Sequence, residues 1–326
     1  MMVRLPTIFM ARTMSLLAAL AAFGSTASAQ ENPVAPLPFV LKELGPGVYA
    51  AIDAPGHKAG SNSGFVIGDD GVLVIDAFFH EEAAKALVAQ IRRLTPKPIR
   101  YVVNTHYHLD HTGGDAVFRS AGAIIIAHRN VRDWLRTNNL GLFGDAITAD
   151  LRTQIAALPL PDLVTDKDLT VWLGSRKIVV RTVLGHTGGD LTIYVPDAKV
   201  LFTGDLLWRK IAPNLIDGSV AEWTATDADF AAMNDSQHIR YVPGHGDVAD
   251  IRDVRDFREY LLRLRQLVSG ARKVGLSGEA LVGAVLPKLR ASYLDWAISD
   301  RAGSAEVRDM DAELAGTKRR PIARTD

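Results

Sequence analysis

Residues 105–114 read Thr-His-Tyr-His-Leu-Asp-His-Thr-Gly-Gly, and they place three of the nine histidines of the chain close together. They directly follow the mostly apolar segment 99–103, which is typical of a buried strand, so we expect a loop at the C-terminal end of that strand. The bend of such a loop lets His106 and His108 turn toward one position, while Asp110 and His111 continue toward a second. Imidazole and carboxylate groups suit zinc, and clustering them is costly without a cation to neutralise the site. The stretch therefore predicts a metal site.

Three further residues of the same chemical types stand beside glycine, each after an apolar segment: His186 within 184–190, Asp205 within 202–206 and His245 within 242–246. Glycine next to a ligand relaxes the backbone, which lets a short side chain reach an ion. Any one of the three alone would be explained more simply as a core or turn residue. Together with the histidine-rich stretch, they predict a metal centre built from the strand ends.

The charge balance and the lack of cysteine limit the possible functions. Lys and Arg total 37, and Asp and Glu also total 37, in a chain of 326 residues. This balance leaves no electrostatic footprint for nucleic acid or an anionic membrane, so we expect a small-molecule substrate and no nucleic-acid partner. Cysteine is absent, which excludes disulfides, thiolate ligands and a cysteine nucleophile. A metal site must then use His with Asp or Glu. The sequence leaves the oligomeric state open.

Residues 1–29 have the pattern of a secretory signal peptide. Arg4 and Arg12 supply positive charge, an apolar run covers 16–23, and Ala27-Ser28-Ala29 fits a small-x-small cleavage site. An uncleaved membrane anchor is the alternative, but the apolar run is short for a bilayer. We therefore expect a periplasmic or secreted protein with no stable membrane anchor after cleavage.

Apolar segments separated by Gly, Asp and Asn predict two similar halves, each with strands first and helices later. The predicted strands cover 48–52, 64–67, 72–75, 99–103 and 122–127, then 169–173, 177–183, 191–195, 200–202 and 239–242. The predicted helices cover 81–94, 220–233, 254–268, 278–289 and 293–298, with irregular helical structure over 128–158. Two such halves are expected to pack sheet against sheet with helices outside. We expect one domain over residues 30–250, with residues 251–326 as C-terminal helices and a basic tail packed on it.

The pattern His-x-His-x-Asp-His, followed by His, Asp and His at later strand ends, resembles the metallo-β-lactamase superfamily over roughly residues 40–250. The resemblance implies an α/β fold, the αβ/βα four-layer sandwich, with a helical C-terminal extension. It also implies two zinc ions per chain, the first held by His106, His108 and His186, the second by Asp110, His111 and His245, with Asp205 bridging them. Asp76 matches a position that usually braces the metal-binding loop by hydrogen bonds.

Asp205 indicates the branch of the superfamily. True β-lactamases of this fold often carry Cys or Ser there, whereas Asp resembles the glyoxalase II, lactonase and RNA-processing branches and exported hydrolases of the quinoprotein-relay type. The signal sequence and the lack of a basic RNA-binding arm disfavour cytosolic thioester and RNA processing. The resemblance thus implies an exported zinc hydrolase that uses a metal-bridging hydroxide, oriented by Asp110, on a small ester, lactone, thioester or lactam. The alternatives are a true class B β-lactamase and a non-hydrolytic metal-binding or iron-dependent redox protein of the same fold.

Residues near the motifs have more than one interpretation. The segment 54–64 is rich in Gly, Ser and Asn and is either a mobile flap over the site or an ordinary hairpin loop. Trp208, Arg209 and Lys210 either line the pocket and hold a substrate carboxylate, or include a surface charge pair. The four histidines outside the ligand motifs are expected to be structural or surface residues: His57, His80, His128 and His238.

Overall fold

The protein is described by a computed structural model that covers residues 36–318. The segment 1–29 and the end of the basic tail lie outside the described residues, so the signal peptide stays a prediction. No helix in the described part of the chain combines the length and the apolar character needed to cross a membrane. The division of the chain at residues 30 and 250 also stays a prediction.

The first sheet has seven strands in sequence order. They are β1 Phe39–Gly45, β2 Val48–Asp53, β3 Ser63–Ile67, β4 Val72–Ile75, β5 Ile99–Val103, β6 Ile124–His128 and β7 Leu163–Thr165. Strands β1 to β4 pair antiparallel, and β4 to β7 pair parallel. The ends of β4, β5 and β6 therefore lie at one edge of the sheet, where the loops after them meet.

The second sheet has five strands in the order β12-β11-β10-β9-β8. They are β8 Leu169–Leu173, β9 Arg176–Val183, β10 Asp190–Val195, β11 Val200–Trp208 and β12 Arg240–His245. Only β11 and β12 of this sheet pair parallel, so these two strands carry their C-terminal residues to the same edge.

Ten α-helices cover the two sheets in the described part of the chain. They are α1 Glu81–Leu94, α2 Leu109–Thr112, α3 Asp115–Ser120, α4 Arg129–Trp134, α5 Asn138–Phe143, α6 Ala149–Ala157, α7 Val220–Ala232, α8 Ile251–Lys273, α9 Gly278–Ser292 and α10 Asp300–Ala315. Short 3₁₀ turns occupy Gly144–Ala146 and Ser236–His238.

Three apolar clusters define the layers. One lies between the sheets and joins residues such as Val66 and Ile75 of the first to Ile193 and Phe202 of the second. A second joins α1 to the outer face of the first sheet. A third joins β11 to α7, α8, α9 and α10. The order helix, sheet, sheet, helix confirms the predicted αβ/βα sandwich and its C-terminal helices.

Two strands were not predicted, and one predicted helix is wrong. Lys42 and Glu43 interrupt the apolar pattern of β1 at the sheet edge, and β7 has only three residues. Residues 293–298 contain a short turn and a β-bridge from Ala297 to Ile211 instead of a helix, and the helix follows as α10. Helix α10 is strongly polar and buries little beyond Gly303, Glu306, Val307 and Met310, so its sequence has a weak amphipathic signal.

Candidate metal centre

The histidine-rich stretch leaves β5 and changes conformation at His108. This residue is extended, with φ −60° and ψ 144°, and α2 begins directly after it. The change to helical backbone turns Asp110 and His111 away from the direction that His106 and His108 follow. The predicted loop therefore contains one helical turn, which carries Asp110 and His111, while His106 and His108 lie in the segment before it.

His106, His108, His186 and Asp205 form the first of two side-chain clusters, with their candidate ligand atoms within 4.8 Å of one another. His186 Nε2 lies 3.0 Å from His108 Nδ1 and 3.3 Å from Asp205 Oδ2. His106 Nε2 lies 3.8 Å from the same Asp205 oxygen. All four residues are buried.

Asp110, His111, His245 and again Asp205 form the second cluster. His111 Nε2 lies 3.0 Å from Asp205 Oδ1, and His245 Nε2 lies 3.5 Å from it. Asp110 Oδ2 lies 3.2 Å from His245 Nε2 and 3.6 Å from His111 Nε2. The structure thus brings all seven predicted ligand residues together, and the two oxygens of Asp205 face different clusters.

Asp205 lies inside β11 rather than beyond its end, which corrects the sequence interpretation. The strand is irregular there, because Gly204 has φ 52° and the pairing with β12 shifts register on both sides of it. Gly244 on β12 faces the carboxylate, and a Cβ at that position would lie 1.8 Å from Asp205 Oδ1. This glycine therefore supplies space for the carboxylate.

The donor atoms fit metal ions. Among the described residues, no hydrogen-bond partner reaches the buried Nε2 atoms of His106, His111 and His245 or the buried Oδ1 of Asp205. Buried polar atoms without partners are costly, and a coordinated cation would satisfy them. The separations of 3.0 to 3.8 Å between donors also suit a tetrahedral ion, whose ligands at about 2.0–2.1 Å lie about 3.3 Å apart.

Burial and carboxylates divide four of the candidate ligand histidines into two electrostatic groups. Burial lowers the pKa of His106 well below its usual value and lowers that of His186 to about 3. Burial also acts to lower the pKa of His111 and His245, but Asp205 and Asp110 outweigh it. The pKa of His111 is raised well above its usual value, and that of His245 is raised to about 9. The carboxylates that attract protons to the second cluster attract metal cations in the same way.

Two carboxylates orient His111 and His108 by contacting the ring nitrogen that faces away from the cluster. Asp76, predicted for this role, lies 2.8 Å from His111 Nδ1 and accepts hydrogen bonds from Thr105. Asp217, which the sequence analysis missed, accepts a hydrogen bond from Tyr107 and lies 3.4 Å from His108 Nε2. Asp217 stands in the loop before α7 without a recognisable motif, so only the tertiary contact reveals it. Each contact occupies one ring nitrogen and leaves the other for the cluster.

The structure decides between the two interpretations of segment 54–64 and of Arg209 and Lys210. Segment 54–64 is exposed at its tip, but Ser61 donates to the Asp110 carbonyl at 2.5 Å, and Asn62 donates to the Pro243 carbonyl at 2.8 Å. These bonds tie the end of the segment to the site, which favours the hairpin-loop interpretation over a mobile flap. Arg209 contacts Asp253 at 3.1 Å and Lys210 contacts Asp295 at 2.6 Å, as the surface-pair alternative requires.

Trp208 stacks on the His245 ring at 4.0 Å between centroids. Of the histidines outside the ligand motifs, His128 is buried and accepts the capping bond of α4 from Asn130 N at 3.1 Å. The other three are exposed: His57, His80 and His238. All four are structural or surface residues, as predicted.

Two sheets packed face to face, with paired His and Asp clusters at their common edge, define a class of metal-binding αβ/βα sandwich proteins. The chain belongs to the metallo-β-lactamase superfamily, whose family model matches residues 58–269.

The similarity to individual proteins is distant. The chain is 26% identical over 192 residues to a protein named probable metallo-hydrolase YqgX of Bacillus subtilis (strain 168), covering 58% of this chain and 87% of that one. It is 26% identical over 200 residues to metallo-beta-lactamase type 2 of Bacillus sp. (strain 170), covering 60% of this chain and 70% of that one. The solved metallo-beta-lactamase from Pontibacter korlensis superposes with a TM-score of 0.55 at 21% identity, covering 69% of this chain and 99% of that one. This last likeness concerns the fold alone.

Proposed function

We propose that the chain is an exported hydrolase that holds two zinc ions and cleaves a small carbonyl compound. The observation that carries the proposal is the position of Asp205, whose Oδ2 faces one cluster of histidines and whose Oδ1 faces the other. In this proposal, His106, His108 and His186 hold the first ion. Asp110, His111 and His245 hold the second, and Asp205 contacts both.

Zinc bound there would supply a Lewis acid, which would polarise a carbonyl group and lower the pKa of a water molecule toward about 7. Asp110 would orient that water and receive its proton, because its side chain remains 27% exposed while His111 beside it is fully buried. Burial alone would raise the pKa of Asp110, but His111 and His245 outweigh burial and lower it. In metal-free protein the carboxylate is therefore ionised at neutral pH, as a proton acceptor must be. Bound zinc, which displaces the histidine protons, would supply the positive charge that keeps it ionised.

The electrostatic character of the site supports esters, lactones and thioesters over amide-type lactams as substrates. The Asp205 carboxylate adds negative charge between the two clusters, which weakens bound cations as electrophiles. Esters and thioesters have better leaving groups than amides and depend less on strong polarisation. The likeness to a metallo-beta-lactamase type 2 supports a class B β-lactamase as the second candidate. Iron bound by the same donors, with redox rather than hydrolytic chemistry, is a third.

Export is proposed from the signal-like pattern of residues 1–29. We expect the mature protein in the periplasm or outside the cell, without a stable membrane anchor and without a nucleic-acid partner. Cell fractionation of the full chain, with N-terminal sequencing of the recovered protein, tests this part separately from the activity.

The activity is tested with zinc-loaded mature protein and a panel of esters, lactones, thioesters, lactams and phosphoesters, compared by kcat/KM. We expect turnover of an ester, lactone or thioester, with lactams at least tenfold poorer. Efficient turnover of several lactams with esters and lactones untouched would establish the β-lactamase instead. No hydrolysis of any panel member, together with iron in the purified protein, would support the redox alternative.

A further inference from the structure

A cavity of about 510 Å³ lies beside the metal centre. The segment between β11 and α7 forms one wall and α10 forms the opposite wall, with Leu142 contributed by α5. Trp208 is part of the wall, and its indole stacks on the ring of His245. The cavity therefore adjoins the second cluster of candidate ligands, separated from it by one aromatic ring.

The apolar part of the cavity lining consists of Leu142, Ala212, Pro213, Leu215, Ile216, Ala302 and Ala305 with the indole ring of Trp208, and the rest of the lining is polar or charged. A concave lining that combines apolar side chains with polar groups is found in sites for small molecules. The volume is also within the range of such sites, which is about 300–1,000 Å³. The cavity can accept a chain or ring of several carbon atoms.

Two polar side chains of the same lining have atoms without a hydrogen-bond partner among the described residues. They are Nε1 of Trp208 and Oε2 of Glu306, and both atoms are buried. Glu306 is 1% exposed, and its other oxygen accepts a hydrogen bond from Tyr260. Buried groups without partners are uncommon because each one costs the free energy of the lost hydrogen bonds to water. The cavity that both residues line is the place from which a ligand would supply the missing partners.

We propose that this cavity holds the part of the substrate that does not react, and that it selects an apolar chain or ring bearing a neutral hydrogen-bonding group such as a hydroxyl. This inference rests on the proposed hydrolase function and adds the substrate class to it. Trp208 would donate from Nε1 to an oxygen of the ligand close to the metal centre. Glu306 would bind the hydroxyl group, and the apolar residues would contact the carbon chain.

The charges around the cavity favour a neutral group over an anion. Burial raises the pKa of Glu306 to about 8, so its carboxyl group is protonated at neutral pH and both donates and accepts. Asp309 lies in the same lining and adds negative charge. Arg308 is occupied by Glu279 at 2.6 Å, while Arg301 is exposed at the rim. A carboxylate placed beside Asp309 would be repelled by its charge, whereas a neutral hydroxyl group would not.

The test uses zinc-loaded protein and three aliphatic amides, whose poor leaving group keeps them intact: hexanamide, 6-hydroxyhexanamide and the monoamide of adipic acid. The indole N–H signal of Trp208, assigned with Trp208→Phe, is followed by NMR, and dissociation constants are measured by calorimetry. We expect 6-hydroxyhexanamide to shift this signal and to bind about tenfold more tightly than hexanamide, as one added buried hydrogen bond allows. The adipic monoamide should bind more weakly than 6-hydroxyhexanamide.

Glu306→Leu should abolish the preference for the hydroxylated amide. Asp227→Asn is the matched control, because Asp227 is a buried carboxyl without a hydrogen-bond partner among the described residues and does not line this cavity. The control should keep the preference.

Equal binding of the neutral amides to the wild type, tighter binding of the anion, or an unchanged preference in Glu306→Leu would overturn the proposal. If Glu306→Leu does not fold, the wild-type indole signal and affinities decide alone. These readouts measure binding, so a protein that binds the hydroxylated amide and hydrolyses nothing would contradict the proposed hydrolase and not the cavity.

Discussion

His111 Nδ1 lies 2.8 Å from Asp76 Oδ2 while His111 Nε2 lies 3.0 Å from Asp205 Oδ1, so one imidazole joins two buried carboxylates. Asp76 itself has φ 57°, a conformation uncommon for a residue other than glycine. The backbone turn after β4 and the orientation of His111 are therefore coupled through one carboxylate.

Replacing Asp76 should weaken zinc binding without removing a ligand. Asp76→Asn loses the charge that holds His111 Nδ1, and disturbing such an outer contact lowers metal affinity by about 10–100-fold. Competition with a coloured chelator measures the change. Asp70→Asn, which loses only an exposed pair with Arg100 at the other end of β4, should keep wild-type affinity. Equal affinities of the two variants would exclude the bracing role.

The two clusters should hold one zinc ion each. Purified mature protein is expected to contain about two zinc equivalents, and His186→Ala or His245→Ala should each lose about one, because each removes a ligand from a different cluster. Elemental analysis against protein concentration provides the counts. His57→Ala is the control, since His57 is exposed outside both clusters. Two zinc ions retained in both cluster variants would show that the ligand assignment is wrong.

Asp110→Asn should reduce turnover by about a hundredfold or more, the size expected for loss of a general base. The amide keeps the shape of the side chain, so the loss would come from its charge and proton affinity. Because Asp110 is also a candidate ligand, kcat is compared at saturating zinc with the zinc content measured on the same samples. Wild-type kcat in a fully loaded variant would remove Asp110 from the proton transfer.

Gly244→Ala should damage the metal centre although the residue is not a ligand. The added Cβ would lie 1.8 Å from Asp205 Oδ1, so the carboxylate or β12 must move. We expect lower zinc content and a lower melting temperature. Gly283→Ala in α9 is the matched control, because nothing lies within 4 Å of its added Cβ. Alanine there should stabilise the helix by up to about 1 kcal/mol. Unchanged zinc content in Gly244→Ala would contradict the close approach of β12 to Asp205.

Acidification should weaken zinc binding over a range that starts near the pKa of His245. Its folded-state pKa of about 9 lies above the usual 6.5, so in metal-free protein its protonation contributes stability below pH 6.5. That contribution is lost as pH rises through about 9. Zinc must displace this proton, so the melting-temperature difference between zinc-loaded and metal-free protein should shrink as pH falls from about 9 to 6.5. Calorimetry at several pH values measures it, and a constant difference across that range would contradict the assignment.

The sequence alone determined the layered α/β fold and the seven candidate ligands, because both depend on local patterns. Strand β4 is a continuous apolar run, β5 is apolar apart from Arg100, and the histidines and aspartates follow these strands within a few residues. The short spacing in 105–114 is enough to predict that its side chains lie together.

Only the tertiary structure decided which oxygen of Asp205 faces which cluster, since that depends on the irregular pairing of β11 with β12 and on the space at Gly244. It also revealed Asp217 behind His108 and Glu306 in the cavity beside Trp208. Asp217 lies more than a hundred residues after the histidine it contacts, and α10 is too polar to show its buried face in the sequence. Contacts between distant segments depend on how the layers pack, so local residue patterns do not predict them.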